Sequence, residues 1–169
     1  TSKALKSSGV VNILTGEDIA KDKIGGLIAG WAIRSEDGSE MKCPANPPLA
    51  KDNVNFVGDP IAVVFAESLD EAKAGAELVK IDYKVLKAVT NLAETMNSES
   101  IHKDIDKNLC YDWLLGDRQK VKEAFDKADK IIKLDITNNR LIPNAMEPRA
   151  CVIDYNTASE EITCYTTSQ

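Results

Sequence analysis

The densest group of residues able to do chemistry lies at positions 138–149, with the sequence NNRLIPNAMEPR. Its two prolines hold the residues before them in extended conformations. Glu147 and Arg149 are two positions apart, so on an extended chain their side chains point to the same side and can form an ion pair. Arg140 can reach either of them. This stretch is therefore the first place to look for a site.

Two interpretations of these charges remain open. The favoured one is an ion pair and a set of amides that anchor a loop between two strands, because buried ion networks also cluster charges in this way. In the other, the loop lines a pocket that is completed by chain outside these residues. The sequence contains neither of the phosphate-binding patterns GxGxxG and GxxxxGK[ST], and neither GxSxG nor HExxH. We therefore assign no catalytic residue and no metal ligand.

The cysteines and the single histidine offer no independent site. Cys43, Cys110, Cys151 and Cys164 have no CxxC spacing and no nearby histidine, which argues against a zinc site and a redox pair. Three of them lie in strand-like runs, where we expect free cysteine to act as a small buried apolar group. His102 lies in a polar connector, where a solvated loop residue is favoured over a catalytic base. This cysteine usage, with no signal peptide, indicates a reducing cytoplasm.

The composition of the chain limits the kinds of partner that we expect it to bind. The 169 residues carry 21 Lys and Arg against 27 Asp and Glu, a net charge of −6, so the chain offers no positive field for nucleic acid. Its 43% hydrophobic and 28% charged content is typical of a soluble globular protein. No apolar run approaches the roughly 20 residues that a membrane-spanning helix needs, so we expect no membrane span.

The clearest secondary structure predicts an α/β fold with mixed helices and strands. Residues 61–66 form a continuous apolar run typical of a strand that is covered on both faces. Ser68 and Glu71 form a capping-box pair that begins a helix, and residues 81–85 resume as a strand, which predicts a parallel strand–helix–strand crossover. The helix has many small residues on its apolar arc, so we expect Ala76→Phe to overpack its contact with the sheet.

The region before this unit is less regular. Residues 10–14 predict a strand, whereas residues 24–53 show no period and are rich in glycine and proline. Such a long irregular stretch either contains a short hairpin that turns at Asp37 and Gly38, or wraps another subunit. Trp31 within it either plugs its own domain or faces a partner, and the sequence favours neither.

A polar segment at residues 97–107 predicts a linker between two domains, 1–96 and 108–169. In the second domain, Asp117 caps a helix that starts at Arg118 and carries one apolar stripe. Strand patterns in this domain fall at residues 110–115, 130–137, 150–155 and 162–167.

Four segments, taken in order, resemble one protein family. They are GVVNILTGEDI, NFVGDPIAVVFAESLDEAKAGAELVKIDY, NLCYDWLLGD and NNRLIPNAMEPRACVIDY. Together they resemble the molybdenum-binding large subunit of the xanthine dehydrogenase, aldehyde oxidase and aerobic carbon monoxide dehydrogenase family. The resemblance implies that residues 1–96 are most of a hammerhead α/β domain and that residues 108–169 begin the first molybdopterin-binding domain.

The resemblance also implies roles for four residues of the polar cluster. Family members often have a glutamine near the position of Asn139 that faces the molybdenum centre, and this chain has asparagine there. Asn139 and Arg140 are thus the implied cofactor-binding, pocket-lining residues. Glu147 and Arg149 match the family's MEPR sequence and are assigned to structural anchoring of the loop. The family's catalytic glutamate lies beyond Gln169, so it cannot be placed on any residue here.

The activity implied by the resemblance is that of a molybdenum hydroxylase. Such an oxidoreductase inserts water-derived oxygen into a small aldehyde, carbonyl or heteroaromatic substrate. The molybdopterin-type cofactor would be bound by the full-length subunit, and electrons would leave through partner subunits that carry iron–sulfur clusters and FAD. We expect this stretch alone to need the remainder of the large subunit and to be inactive without it.

A second hypothesis is a freestanding, non-catalytic scaffold or interaction domain that kept the fold and lost the chemistry. A reading frame that continues past Gln169 into glycine-rich loops and a late glutamate would favour the enzyme. A stop codon directly after Gln169, with no partner gene for the rest, would favour the scaffold.

Overall fold

The chain is described here by a computed structural model, which covers residues 1–27 and 29–167. It divides into two compact units, Thr1–Gly116 and Asp117–Gln169. The first unit contains β1 (Val10–Thr15), α1 (Gly16–Lys21), β2 (Ala62–Ala66) and α2 (Leu69–Glu77), with 3-10 turns at Ala4–Lys6, Leu92–Asn97 and Asp106–Asn108. The second contains α3 (Arg118–Asp126), β3 (Cys151–Asn156) and β4 (Glu161–Thr166). This mixture of helices and strands confirms the predicted fold class.

The centre of the first unit is a two-stranded antiparallel sheet covered by α2. In this sheet β1 pairs with β2, and Ile13 lies opposite Val64. The buried apolar side chains among the described residues form a small core of Ala4, Ile13, Ile19, Leu49, Ala50 and Ile105. All six belong to the first unit, so the hydrophobic stabilisation of the chain is concentrated there.

Local side-chain bonds fix where the helices begin. The Ser68 hydroxyl accepts from the main-chain N–H of Glu71 at 3.3 Å, which confirms the predicted cap, and it donates to the Glu71 carboxylate at 2.8 Å. The carboxylate therefore bonds the Ser68 hydroxyl and not the Ser68 main-chain N–H that a full capping box would use. At the start of α1, the main-chain N–H and the hydroxyl of Thr15 donate to Asp18 at 2.8 and 2.7 Å. The Thr15 hydroxyl is the main cause that lowers the pKa of Asp18.

The close contact between α2 and the sheet is made at Gly75. This glycine is the one buried residue of α2, and a Cβ added to it would lie 2.7 Å from Val10 Cγ2 and 3.1 Å from Val64 Cγ1. Ala76 is exposed, so the predicted overpacking at Ala76 is wrong by one residue. Neighbouring residues of a helix are about 100° apart around its axis. The sequence pattern did not fix which of the two residues faces the sheet.

Three predicted strands are not formed in the described part of the chain. Residues 81–85, 110–115 and 130–137 have no ladder partner there. The expected parallel crossover is therefore not present, and α2 leads into chain without regular structure. A strand is defined by hydrogen bonds to a neighbour, so an apolar or alternating pattern alone does not make one.

The irregular region contains a long hairpin, residues 27 and 29–46. Antiparallel bridges join Leu27 to Asn46 and Arg34 to Glu40, and Gly38 adopts a φ of +83° at the tip. The expectation of a hairpin turning at Asp37 and Gly38 is thus confirmed. Glycine suits this position because a side chain is strained at positive φ.

Two charged side chains, those of Arg34 and Asp37, hold the tip of the long hairpin. Arg34 donates to the carbonyl oxygen of Gly38 at 3.2 Å and to the Glu40 carboxylate at 3.0 Å. The main-chain N–H of Ser39 donates to Asp37 at 2.9 Å. Bonds from the hydroxyl and then the main chain of Ser39 lower the pKa of Asp37 below its ordinary value, because they favour the charged carboxylate.

The Asn108 side chain forms hydrogen bonds across the segment that the sequence predicts to be a linker, residues 97–107. Its amide donates to the carbonyl oxygens of Thr95 and Glu99 at 3.0 and 3.2 Å and accepts from the N–H of Ile101 at 2.7 Å. The loop so closed buries Ile105, which is 3% exposed. The first compact unit therefore runs through residues 97–116, and the domain boundaries proposed from the sequence stay a prediction.

The second unit has secondary structure without a core. Asp117 accepts from the N–H of Lys120 at 3.0 Å and caps α3 as predicted. The two strands form the expected hairpin, with Val152 opposite Tyr165 and Ile153 opposite Cys164. Every described residue of this unit is nevertheless exposed.

The cysteine side chains are also accessible to solvent. All four are free and exposed, so the expectation that three of them are buried is wrong. The strand-like runs around Cys110, Cys151 and Cys164 lack a covering layer within the described residues, and a strand pattern buries a side chain only where such a layer exists.

Gly75→Val is expected to lower the free energy of unfolding of the first unit by about 1 to 3 kcal/mol, because the new side chain meets Val10 and Val64. Urea unfolding followed by circular dichroism measures the change. Ala76→Val places the same side chain on the exposed neighbour and is expected to cost about 0.5 kcal/mol or less. Equal losses in the two variants would contradict the assigned contact.

Ser39→Ala is expected to raise the pKa of Asp37 toward its ordinary value, since it removes the first of the two bonds that lower it. The folded pKa of Asp37 lies below the unfolded one. Its contribution to stability is therefore complete above the unfolded pKa and is lost as the pH falls through the folded pKa. Carbon-13 NMR titration of the Asp37 carboxyl reports the change. Ser98→Ala is the control, and an unchanged Asp37 titration in Ser39→Ala would refute the assignment.

Candidate functional site

The polar cluster at residues 138–149 lies in the second unit, between α3 and β3. It has no regular secondary structure, and all of its residues are exposed. Asn144 has a φ of +46°, a conformation that asparagine tolerates better than most residues. The chain therefore turns within the cluster, and its polar side chains are accessible.

The structure does not bring Glu147 and Arg149 together. Among the described residues, no ion pair joins Glu147 to Arg149 or to Arg140. Exposed pairs of this kind contribute little even when formed. The anchoring role of Glu147 and Arg149 thus remains a prediction from the sequence.

Asn139 and Arg140 present their donors to solvent. Both residues are exposed, and nothing else in the described chain uses the amide of Asn139 or the guanidinium of Arg140. A guanidinium and an amide are suited to donate hydrogen bonds to an anionic, oxygen-rich ligand. The same loop exposes Leu141, Ile142 and Met146, so its surface combines hydrogen-bond donors with uncovered apolar side chains.

The described chain contains no group of three or more His, Cys, Asp or Glu residues placed to hold a metal ion. Within the same described residues, no helix is both long and apolar enough to cross a bilayer.

A second feature was missed by the sequence reasoning. A cleft of about 360 Å³ in the first unit is lined by Trp31, Ile33, Tyr111 and Trp113, together with Ala32 and Arg34. Trp31 is 77% exposed, so it does not plug its own domain in the described structure. The presence of Trp113 here had no signal in the sequence, because Tyr111 and Trp113 lie 80 and 82 residues after Trp31.

Two family profiles match the chain in succession. The profile described as "Aldehyde oxidase and xanthine dehydrogenase, a/b hammerhead domain" matches residues 1–87. The profile described as "Molybdopterin cofactor-binding domain" matches residues 101–169. The order of these two domains agrees with the order that the sequence resemblance implied.

Individual proteins show the same likeness. The chain is 30% identical to a probable xanthine dehydrogenase component of Bacillus subtilis, over 62% of this chain and 12% of that protein. It is 26% identical to the nicotine 6-hydroxylase large subunit of Paenarthrobacter nicotinovorans, over 100% of this chain and 20% of that protein. In fold it resembles quinoline 2-oxidoreductase from Pseudomonas putida 86, with a TM-score of 0.75 and 24% identity, covering 99% of this chain and 21% of the other.

These matches also measure how much of such a protein is present. The chain spans between about an eighth and a fifth of the length of these relatives. The hammerhead profile alone covers residues 1–87, more than half of the chain. The chain belongs to the aldehyde oxidase and xanthine dehydrogenase family, as a piece that joins its hammerhead and molybdopterin-binding regions.

Proposed function

We propose that this chain is part of the large subunit of a molybdenum hydroxylase. The complete enzyme would hydroxylate a small aldehyde, carbonyl or heteroaromatic substrate with oxygen derived from water. Its electrons would pass to partner subunits that carry iron–sulfur clusters and FAD. The observation that carries the proposal is the succession of the two family domains at residues 1–87 and 101–169.

The surface of the chain supports a role inside a larger protein. It leaves 15516 Å² accessible to solvent, whereas a closed protein of 18.4 kDa exposes about 8,200 Å² by the usual scaling. Even two separate closed units of these lengths would expose only about 9,700 Å². The excess surface is what we expect of residues that pack against more protein.

Asn139 and Arg140 fit the cofactor that the family implies. The molybdenum cofactor supplies the redox centre of hydroxylation when it is bound. Arg140 would donate to its anionic oxygens and Asn139 would donate from its amide, since both are exposed in the structure. Their part would be to bind and orient the cofactor, and Glu147 and Arg149 would hold the shape of the loop behind them.

The cellular setting in the proposal is the cytoplasm. The four cysteines are free thiols, a state that a reducing compartment preserves. The names of two relatives from Paenarthrobacter nicotinovorans, a "large subunit" and a "dehydrogenase complex subunit gamma", describe parts of larger assemblies. They support the expectation of partner subunits for this chain as well.

A freestanding scaffold domain is the competing function, and the exposed surface weighs against it. A stable independent module needs a core in each of its units, and the second unit here has no buried residue among those described. We therefore retain the enzyme as the proposal.

Arg140→Gln in the complete large subunit is expected to lower the affinity for the molybdenum cofactor about 10- to 100-fold, because a charge-assisted hydrogen bond contributes roughly 1.5 to 3 kcal/mol. Molybdenum content and pterin fluorescence of the purified subunit measure the loss without relying on activity. Lys133→Gln removes an exposed cation from the same unit and is the matched control. Normal molybdenum content in Arg140→Gln would remove Arg140 from the site.

The 169-residue chain by itself is expected neither to bind the cofactor tightly nor to turn over substrate. The reason is that its candidate loop is open to solvent and lacks the surrounding protein that would enclose a ligand. Equilibrium dialysis of the purified chain against the cofactor tests this expectation. Stoichiometric, tight binding would show that these residues form a complete site.

A further inference from the structure

Residues 110–112 run against the long hairpin and are tied to it at three points. The main-chain N–H of Lys42 donates to the carbonyl oxygen of Cys110 at 2.9 Å, and that of Glu36 donates to the carbonyl oxygen of Asp112 at 2.8 Å. The N–H of Asp112 donates to the Ser35 hydroxyl at 3.1 Å. One side of this short segment is therefore satisfied by the hairpin.

The other side of the segment is open. On an extended chain, the main-chain groups of successive residues point to opposite sides. Cys110 and Asp112 face the hairpin, so the main-chain groups of Tyr111 and Trp113 face away from it. Across the described chain, the N–H and C=O groups of Tyr111 and Trp113 make no hydrogen bond. These two residues form what we name the open edge.

The aromatic cleft lies beside the open edge. Tyr111 and Trp113 line both, and their side chains are 41% and 58% exposed. The charge of Arg34 in the lining is compensated, because its guanidinium is held by Glu40 and by the carbonyl oxygen of Gly38. The open edge thus offers main-chain hydrogen bonds, and the cleft offers an apolar recess for a side chain.

We propose that the open edge and the cleft together receive an extended strand from the remainder of the large subunit. Main-chain hydrogen bonds to Tyr111 and Trp113 would bind the strand, and a large apolar side chain of the strand in the cleft would fix its register, as in other cases of strand addition. The inference rests on the proposed function, in which this chain is part of a longer subunit. The occupant is argued from the length of the relatives, which are about five times as long as this chain. A large subunit of that length contains the additional residues that could provide the strand.

The complete large subunit tests the proposal by photo-cross-linking. A benzophenone amino acid is placed at Trp113, and the same probe at the exposed polar residue Lys23 is the control. The expected product is an intramolecular cross-link from position 113 to a segment outside these 169 residues, at a yield several-fold above that from position 23. A cross-link to a partner subunit, to a second copy, or to nothing would overturn the assigned occupant.

Hydrogen exchange provides a second, independent measurement. In the complete subunit, the amides of Tyr111 and Trp113 are expected to exchange at least 10-fold more slowly than in an unstructured peptide of the same local sequence. Exchange as fast as in the peptide would overturn the pairing. Molybdenum content of the same preparation separates the two proposals: a molybdenum-loaded subunit with an unprotected edge refutes only the strand, whereas a folded subunit that never binds molybdenum refutes the proposed function.

Discussion

The structure depends on one constraint, the burial of apolar surface, which the described residues meet only in the first unit. The antiparallel β1–β2 pair and α2 close on each other through Gly75, where the helix backbone comes within van der Waals reach of Val10 and Val64. Six apolar side chains are buried in this unit, and one of them, Ile105, lies in the loop that Asn108 closes. In the second unit, hydrogen-bonded turns and caps fix the local conformation, and no described residue there is buried.

The second unit shows which secondary structure forms where the chain does not bury its own apolar surface. Its helix is capped and its hairpin is in register, because capping and hairpin pairing are short-range interactions. Burial is long-range and needs a second layer, which the described residues of this unit do not provide. The exposed stripe of α3, the apolar side chains of the polar loop and the four accessible cysteines all follow from this difference.

The candidate site obeys the same logic. The guanidinium of Arg140 and the amide of Asn139 can donate hydrogen bonds to an anionic ligand, and their loop is exposed and has no regular secondary structure. The open edge at Tyr111 and Trp113 is a similar case that involves the main chain, because its unpaired N–H and C=O groups favour pairing with another strand. Both features are exposed hydrogen-bonding groups that the described residues leave without a partner.

The sequence by itself determined the local starts and turns: the Ser68 cap, the Asp117 cap, the turn at Gly38 and the hairpin of β3 and β4. Each depends on residues within a few positions of one another, so their spacing carries the information. The four family-like segments likewise identified the hammerhead and molybdopterin-binding regions, because that likeness is carried in order along the chain. Only the tertiary structure decided that Gly75, not Ala76, meets the sheet, and that residues 81–85 and 130–137 have no strand partner among the described residues. It also brought Trp31 beside Trp113 and left Glu147 and Arg149 apart. These outcomes depend on which distant segments are present to pack and pair, and residue spacing does not encode that.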